Sequence, residues 1–314
     1  MTLFHPEILT APAVAPSGGR PPAEVWGLPY PREMAEPVVD VALGRPALLL
    51  RPYVERYTGY RLEGFAPGIH RGLPSRHLTF IVSLGDPVDI AVMPDPRQPP
   101  AALGAFVAGL HAGPTTIAHD GNQHGISLDL TPLGARALLG LPAGELAGIV
   151  VGLDALLGRA ADRLADRLAS VPTWAERFVV LDGVLAAAAA RQTAPRAQPG
   201  VTEAWARLVT TGGALGVGSL AAELGWSRRH LGERFRTEIG LPPKAAARVL
   251  RFERARRLLE RAGRPSLAEI AGLAGYYDQA HLNRDWRDLA GCTPTTWLDE
   301  ELPSVQDAAA SDGG

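Results

Sequence analysis

The chain has 314 residues, 46% of them apolar and 20% charged, with a formal net charge of −2. This length accommodates two domains, and the composition excludes wholesale disorder. The single cysteine, Cys292, excludes an intramolecular disulfide framework or a zinc site built from several cysteines, and it fits a reducing compartment.

The N-terminal stretch, residues 1–45, is rich in Pro, Gly and Ala and has no periodicity, so it is predicted to be an extended arm. It shows no basic segment followed by an apolar run, and no stretch of the chain approaches the ~18 consecutive apolar residues of a membrane span. We therefore expect a cytoplasmic protein with no membrane partner.

Residues 46–190 are predicted to form a separate domain. The run 78–84 is β-branched and aromatic, and Gly85, Asp86 and Pro87 then form a turn. We expect residues 88–93 to return as its partner strand, and residues 105–111, 115–119 and 125–130 to be further strands. Short strands at this spacing predict a small sandwich or barrel, and of the two we expect a small cupin-like β-barrel in an α+β protein.

After residue 130 the pattern becomes helical. Thr131 is placed as an N-cap before Pro132, and apolar residues then line one face over 153–168 and again over 174–185. These two faces pack on the barrel or on a second chain, and the second alternative is the hypothesis of a homodimer. Residues 191–200 hold two prolines and are predicted to be an interdomain linker, and residues 303–314 a disordered tail.

The C-terminal segment 201–302 contains one pattern twice. Leu231, Phe235, Arg236, Gly240 and Pro243 recur at the same offsets as Leu282, Trp286, Arg287, Gly291 and Pro294. Each copy follows a short apolar segment that ends in glycine. A helix, a glycine-containing turn and a second helix is the sequence form of a helix-turn-helix, and two copies at matched offsets are a strong signal.

Capping residues set the start of each second helix. Ser227 is predicted to cap the first and Asp278 the second, and Ser266 with Glu269 forms a capping box before the second unit. Arg can bind guanine edges and Gln or Asn adenine edges, so an outward face of these residues suits base reading. The candidate DNA-binding residues on the predicted outward faces are Arg228, Arg229, Glu233, Arg236, Gln279, Ala280, Asn283, Arg284 and Arg287.

Positive charge clusters in the same segment. Residues 227–264 hold 12 Arg and Lys against four Glu, whereas residues 1–200 are close to neutral. Such clustering is the electrostatic signature of nucleic-acid binding. Residues 243–262 are predicted to form one linking helix of roughly 30 Å, and its Arg248, Arg251, Arg254 and Arg257 to lie near the DNA backbone.

The segment from Gly275 to Pro294 resembles the signature of AraC/XylS-type transcriptional regulators: Gly-aromatic-x-Asp, an apolar residue, Arg, an aromatic, a basic residue, then Gly-x-Thr-Pro. The chain departs from it at Leu282 and Trp286, where Phe is usual, but both positions stay apolar. The resemblance covers residues 201–302 and implies DNA-binding control of transcription, with a companion domain that senses a ligand or mediates dimerisation. Residues 70–190 more loosely resemble the N-terminal part of actinobacterial members.

We therefore predict a sequence-specific regulator that binds double-stranded DNA, not an enzyme, with a small-molecule effector and RNA polymerase as candidate partners. Arg76 and His77, which precede the most apolar strand, are candidate ligands for an anionic effector. His70, His111, His119 and His124 lack metal-ligand spacing, and no phosphate or dinucleotide motif occurs, so no metal or other cofactor is predicted. The alternatives are a metal-dependent cupin-type enzyme fused to a DNA-binding domain, and an architectural DNA binder without an effector.

Overall fold

The computed structural model describes residues 37–191, 197–261 and 263–300. Up to residue 152 the described chain is mainly β-strand, and from residue 153 it is mainly helical. Residues 197–300 contribute seven helices in the described part of the chain. The predicted α+β class, with a sheet-rich N-terminal region and an all-helical C-terminal domain, is confirmed.

The strands form two antiparallel sheets. One has six strands in the order β1 (Val38–Gly44), β2 (Val54–Glu63), β9 (Gln123–Leu130), β4 (Leu78–Ser83), β7 (Ala105–Ala108) and β10 (Val150–Gly152). The other has four, in the order β3 (Gly68–Gly72), β8 (Thr115–His119), β5 (Val88–Val92) and β6 (Ala101–Leu103). Strand pairing closes neither sheet into a ring within the described residues, so the predicted closed barrel is not observed.

The predicted pairing of β4 with β5 is wrong. β4 pairs with β7 and β9, whereas β5 pairs with β6 and β8 in the other sheet. Both edges of β4 are therefore already occupied. The turn after Ser83 carries the chain from one sheet to the other instead of reversing it within one sheet.

β1 lies within the segment predicted to be an extended arm; residues 1–36 of that arm lie outside the described residues. β1 pairs in continuous register with β2 and forms one margin of the six-stranded sheet. Its run Val38-Val39-Asp40-Val41 contains three β-branched valines, which favour a strand despite the surrounding prolines.

After β9 the chain forms α1 (Pro132–Gly134), which continues as a π-helical turn (Ala135–Leu139), and then a 3-10 turn (Ala143–Leu146). After β10 come α2 (Leu153–Leu157), α3 (Arg159–Ala169) and α4 (Trp174–Arg191). Thr131 caps α1 as predicted. The predicted helix 153–168 is broken at Gly158, whose φ of 53° and ψ of −141° lie outside the helical region.

The apolar faces of these helices pack within the chain. Leu153, Leu164, Leu168, Leu181 and Leu185 are all buried. α4 lies over β1 and β2, where Trp174 meets Gly59 and Phe178 meets Gly44. These faces are consequently not available to a second chain, so a homodimer cannot form through them as the dimer hypothesis assumed.

The C-terminal domain comprises α5 (Pro199–Thr210), α6 (Val217–Glu223), α7 (Arg228–Ile239), α8 (Pro243–Leu259), α9 (Leu267–Ala274), α10 (Gln279–Ala290) and α11 (Pro294–Glu300). α5 begins within the segment predicted as a linker, of which residues 192–196 lie outside the described part. The predicted tail 303–314 also lies outside it.

A single apolar core connects the two halves of the chain. It extends from the six-stranded sheet, through the turns at Ala135–Leu139 and Ala143–Leu146, to α7 and onward to Trp297 of α11. A smaller cluster formed by Ile90, Met93, Phe106 and Val150 fills the space between the two sheets. The N-terminal region therefore packs directly on the helical domain.

Candidate nucleic-acid interface

Two helix pairs in the C-terminal domain have the same local geometry. The turn of the first pair, between α6 and α7, contains Gly225 with φ 66°, and the turn of the second, between α9 and α10, contains Gly275 with φ 84°. Both values are in the left-handed region that favours glycine. The next residue then bonds back to the first helix: Trp226 N–H to the carbonyl of Ala221, and Tyr276 N–H to that of Ala271, both at 2.9 Å.

The start of each second helix is fixed by a side-chain cap. The Ser227 hydroxyl accepts a hydrogen bond from the His230 N–H at 3.1 Å, and the Asp278 carboxylate accepts one from the His281 N–H at 2.7 Å. Both caps and the capping box at Ser266 are as predicted. Residues in the first turn of α7 and α10 are thus held in defined positions at the surface.

The inward faces of both helices are also as predicted. Leu231, Phe235, Leu282 and Trp286 are completely buried. The Trp286 ring lies 4.7 Å from the ring of Phe252 on α8, measured between centroids. α10 therefore packs against the middle of α8, and the length of α8 does not by itself set the separation of the two helix pairs.

Eight of the nine candidate DNA-binding residues are exposed, on the outward faces of α7 and α10. The prediction that Asn283 is exposed is wrong: it is half-buried, and its Oδ1 is buried with no hydrogen-bond partner among the described residues. Asn283 follows Leu282 and precedes Trp286 by three positions, so it borders the buried face of α10.

The outward faces of α7 and α10 differ in charge. On α7, Arg229 donates a hydrogen bond to Glu233 at 2.9 Å, and this bond holds the pKa of the Glu233 carboxyl below its usual value. On α10 the position equivalent to Glu233 is Arg284, which lies two residues after Leu282 as Glu233 lies two residues after Leu231. The exposed charged residues of α7 are four arginines and one glutamate, whereas those of α10 are two arginines and one aspartate, so α7 carries the larger positive charge.

Two of the four α8 arginines predicted to lie near the DNA backbone instead hold the domain together. Arg248 binds Asp285 at 2.8 Å and Asp288 at 2.5 Å, both on α10. Arg251 donates to the carbonyl of Gly213 at 3.1 Å and lies over the ring of Tyr276. Arg254 and Arg257 are exposed.

The N-terminal region contacts the helical domain through ion pairs at both ends. Arg136 forms a bidentate pair with Glu238 in the last turn of α7, at 2.8 and 3.0 Å, and both side chains are mostly buried. Arg71 of β3 pairs with Glu300 of α11 at 2.6 Å. These contacts lie at the C-terminal end of α7 and beyond that of α10, away from their capped N-terminal turns.

A third contact reaches the middle of α8. The backbone N–H of Arg76 donates to Glu253 at 3.0 Å, and Glu253 is only 5% exposed. Sequence analysis did not single out Glu253. The signal was present, because this acid lies four residues after Val249 on the buried face of α8.

The candidate effector ligands Arg76 and His77 lie at a cavity of about 140 Å³ beside this contact. Both side chains bind the carboxylate of Glu55, each at 2.7 Å. The hydrogen bond from His77, aided by Arg76, lowers the pKa of Glu55 to about 2. The charge of Arg76 is therefore already compensated by Glu55, and His77 is bonded to the same carboxylate, which argues against the predicted binding of an anionic effector by these two residues.

The remaining histidines are dispersed. His111 is buried and its Nδ1 lies 2.8 Å from the carbonyl of Gly113, and burial lowers its pKa. Within residues 37–191, 197–261 and 263–300, no group of three or more His, Cys, Asp or Glu side chains is arranged to hold a metal ion.

Comparison with known families supports this geometry. Residues 220–300 match a family model described as a helix-turn-helix domain. The C-terminal domain is an AraC-type helix-turn-helix domain. Residues 44–152 match a model described as a domain of unknown function, DUF6597. Comparison with curated proteins gives no match.

Several solved structures resemble parts of the chain. An AraC-type regulator from Chromobacterium violaceum is 26% identical over 37% of this chain and 96% of its own, with a TM-score of 0.30. The C-terminal domain of AraT, a response regulator from Geobacillus stearothermophilus, is 23% identical over 35% and 92%, with a TM-score of 0.32. ToxT from Vibrio cholerae O395 is 11% identical over 78% and 96%, with a TM-score of 0.47. Since these TM-scores lie below 0.5, the assignment of the AraC-type domain rests on the family match and the local geometry.

None of the helices in the described part of the chain is long and apolar enough to cross a membrane.

Proposed function

We propose that the protein is a sequence-specific transcriptional regulator whose two recognition helices, α7 and α10, read successive major grooves of double-stranded DNA. The observation that carries this proposal is the repetition of one capped helix-turn-helix geometry, with exposed Arg side chains on both second helices and an exposed Gln on α10. Arg and Gln have the donor and acceptor geometry needed to bind guanine and adenine edges in the major groove.

The proposed base-reading residues are those near the capped N-terminal ends of the two helices, because recognition helices contact bases mainly through that end. They are Arg228, Arg229, Gln279, Ala280 and Arg284. Arg236 and Arg287 lie one to two turns further along and are proposed as phosphate contacts. Glu233 is proposed to orient Arg229, to which it is bonded.

Both helix pairs pack on α8, so we propose that they act as one rigid reader of an asymmetric site. Support comes from the ion pairs of Arg248 with Asp285 and Asp288 and from the contact between the tilted rings of Phe252 and Trp286. Helix-turn-helix proteins with a single unit reach two half-sites by dimerising, whereas two units in one chain need no palindrome.

The test begins with selection of the preferred site from random duplexes by the full chain. Each half of that site is then scrambled separately, and the affinity is measured at fixed salt. The proposal expects both changes to weaken binding markedly. If one scrambled half leaves the affinity unchanged, the corresponding helix does not read bases and the proposal of a double reader is wrong.

We also propose that the protein forms a homodimer, through the β1 margin of the six-stranded sheet. Of the ten large apolar side chains that are exposed in the described residues, six lie on β1, on the turn after it or on the helix over it. They are Val38, Val39, Leu43, Leu48, Leu49 and Val179. A strand at a sheet margin offers unpaired backbone groups, and an antiparallel copy of β1 would satisfy them by a two-fold axis.

An effector that binds at the N-terminal region and alters DNA affinity completes the proposed function. Its support is the set of contacts that connect that region to α7, α8 and α11: the ion pairs at Glu238 and Glu300 and the backbone hydrogen bond to Glu253. A ligand that favours one arrangement of these contacts would bias the position of both recognition helices.

A further inference from the structure

The turn before the second recognition helix contains one more residue than the turn before the first. In the first unit, Trp226 directly precedes the capping residue Ser227. In the second unit, Tyr277 stands between Tyr276 and the capping residue Asp278. The two units therefore differ in length at the point where the chain enters the recognition helix.

The aromatic residues on the inner side of the two turns correspond to each other. The ring of Trp226 meets that of His230 edge-on, with centroids 4.8 Å apart and an interplanar angle of 87°. The ring of Tyr276 meets that of His281 in the same way, at 5.2 Å and 87°. Because these pairs match, the additional residue of the second unit is Tyr277.

Tyr277 is 93% exposed, more than any other large apolar side chain in the described part of the chain, whereas its neighbour Tyr276 is 5% exposed. The two side chains therefore point in opposite directions, one into the core and one into solvent. A large side chain stabilises a fold mainly through the apolar surface that it buries, so the ring of Tyr277 adds little to stability. A binding role accounts for this ring better than a structural role.

Tyr277 lies at the end of α10 that is proposed to enter the major groove. It directly precedes Asp278, and the proposed base-reading residues Gln279 and Ala280 come next. Consecutive Cα atoms are about 3.8 Å apart, so the Cα atom of Tyr277 lies within roughly 8 Å of that of Gln279. Sugars and phosphates form the walls of the groove, and a residue at the entry of a recognition helix is placed to contact them.

We propose that Tyr277 contacts the DNA backbone, with its hydroxyl group donating a hydrogen bond to a phosphate at the edge of the groove that α10 enters. Tyrosine hydroxyls are among the side-chain groups that bind phosphate oxygens in protein–DNA complexes, and a charged acceptor strengthens the bond. The inference rests on the proposed function, since it assumes that α10 enters the groove. It gives the second unit a contact for which the first has no corresponding residue, and such contacts fix the register of a protein on the duplex.

The test compares the full chain with its Tyr277→Phe variant, which lacks only the hydroxyl group. Affinity is measured at fixed salt for the selected site and for a random duplex. Binding should become about tenfold weaker on both, because the lost hydrogen bond is to a charged group that is present in every sequence. Tyr53→Phe, the same substitution at a half-buried position of the N-terminal region, should leave both affinities unchanged. Circular dichroism checks that each variant is folded.

Unchanged affinity of Tyr277→Phe on both duplexes would overturn the proposal and favour a protein as the partner of the exposed ring. A loss on the selected site alone would make Tyr277 a base contact and overturn its assignment to a phosphate. These results are separable from the test of the proposed function, because scrambling half of the site changes bases and leaves every phosphate in place.

A second measurement locates the phosphate. Each phosphate of the selected site is replaced singly by an uncharged methylphosphonate, and the wild type and Tyr277→Phe are titrated on every duplex. At one position the roughly tenfold difference between the two proteins should become much smaller, because the hydroxyl and its partner form one interacting pair. A difference that persists at every position would overturn the proposal.

Discussion

At the scale of single residues, the two recognition helices present different chemistry at equivalent positions. Arg229 and Glu233 of α7 correspond to Ala280 and Arg284 of α10. Arg229 is 89% exposed but bonded to Glu233, so it is partly preoriented by its neighbour. An exposed ion pair of this kind contributes little to stability. Its importance is that it fixes the direction of a side chain that is proposed to reach a base.

We expect Arg284→Ala to weaken binding to the selected site by ~1–3 kcal/mol, the cost of losing one bidentate base contact. Arg284 is exposed on α10, so the substitution should leave the fold intact. The measurement is a titration of labelled duplex, with the selected site compared with random DNA. Arg97→Ala is the matched control, because that arginine is 90% exposed and lies in the N-terminal region. Equal losses on both duplexes would make Arg284 a phosphate contact.

The bonds from Arg76 and His77 to Glu55 predict how the stability of the folded protein responds to acid. The folded protein holds the pKa of Glu55 at about 2, below the value of 4.5 for an isolated carboxyl. The stabilisation that ionised Glu55 gives the folded state is therefore complete above pH 4.5 and is lost as the pH falls from there toward about 2. Urea unfolding at several pH values should show this loss in the wild type and a smaller one in Glu55→Gln. Equal acid sensitivity of the two proteins would show that Glu55 is not responsible.

At the scale of elements, α8 has two kinds of arginine. Arg248 binds two carboxylates on α10, whereas Arg254 is exposed. Arg248 therefore joins α8 to α10, whereas Arg254 is free to contact DNA phosphates.

Arg248→Ala should therefore lower the thermal stability of the protein without changing the salt dependence of its DNA affinity. Arg254→Ala should leave the thermal stability unchanged. It should make the plot of log affinity against log salt concentration less steep, by the amount that corresponds to about one phosphate contact. Melting curves and titrations at several salt concentrations measure both quantities. A reduced slope for Arg248→Ala would place that side chain on the DNA instead.

The helix-turn-helix pairs were predictable from sequence because local signals determine them. Ser227 and Asp278 cap the second helix of each pair, and Gly225 and Gly275 allow the turn before it. Leu231 and Leu282 point inward. Each of these features depends only on residues a few positions away. The strand pairing was not predictable in the same way. The turn at residues 85–87 looks the same whether the next strand pairs within the sheet or crosses to the other one, and occupancy of both edges of β4 by distant strands decides which occurs.

The candidate sites show the same difference between features set by nearby residues and features set by distant ones. The outward positions of Arg228, Arg229, Gln279 and Arg284 follow from helical periodicity, whereas the half-burial of Asn283 depends on the packing around Trp286. The bonds from Arg76 and His77 to Glu55 join residues that are more than 20 positions apart. No short motif encodes such a pair, so the anionic-effector role predicted for these residues could not be checked before the fold was known.

At the scale of the whole molecule, the exposed apolar side chains around β1 predict self-association. Val39 is 53% exposed on a strand at the sheet margin. We expect the full chain to sediment as a dimer at tens of micromolar, and Val39→Lys to shift it to a monomer because a charge would be buried at the interface. Val92→Lys is the control, since Val92 is 49% exposed on the other sheet. A monomeric wild-type protein would contradict this assembly.

The apolar core that connects the sheet to α7 and α11 has a consequence for how the molecule unfolds. Two domains with separate cores melt independently, whereas halves that share buried side chains lose them together. Calorimetry of the full chain should therefore show a single heat-absorption peak, with a calorimetric enthalpy equal to the van't Hoff enthalpy. Thermal damage to the N-terminal region would then abolish DNA binding in the same step. In the cell, the regulator would be switched off as one cooperative unit, with no surviving DNA-binding fragment.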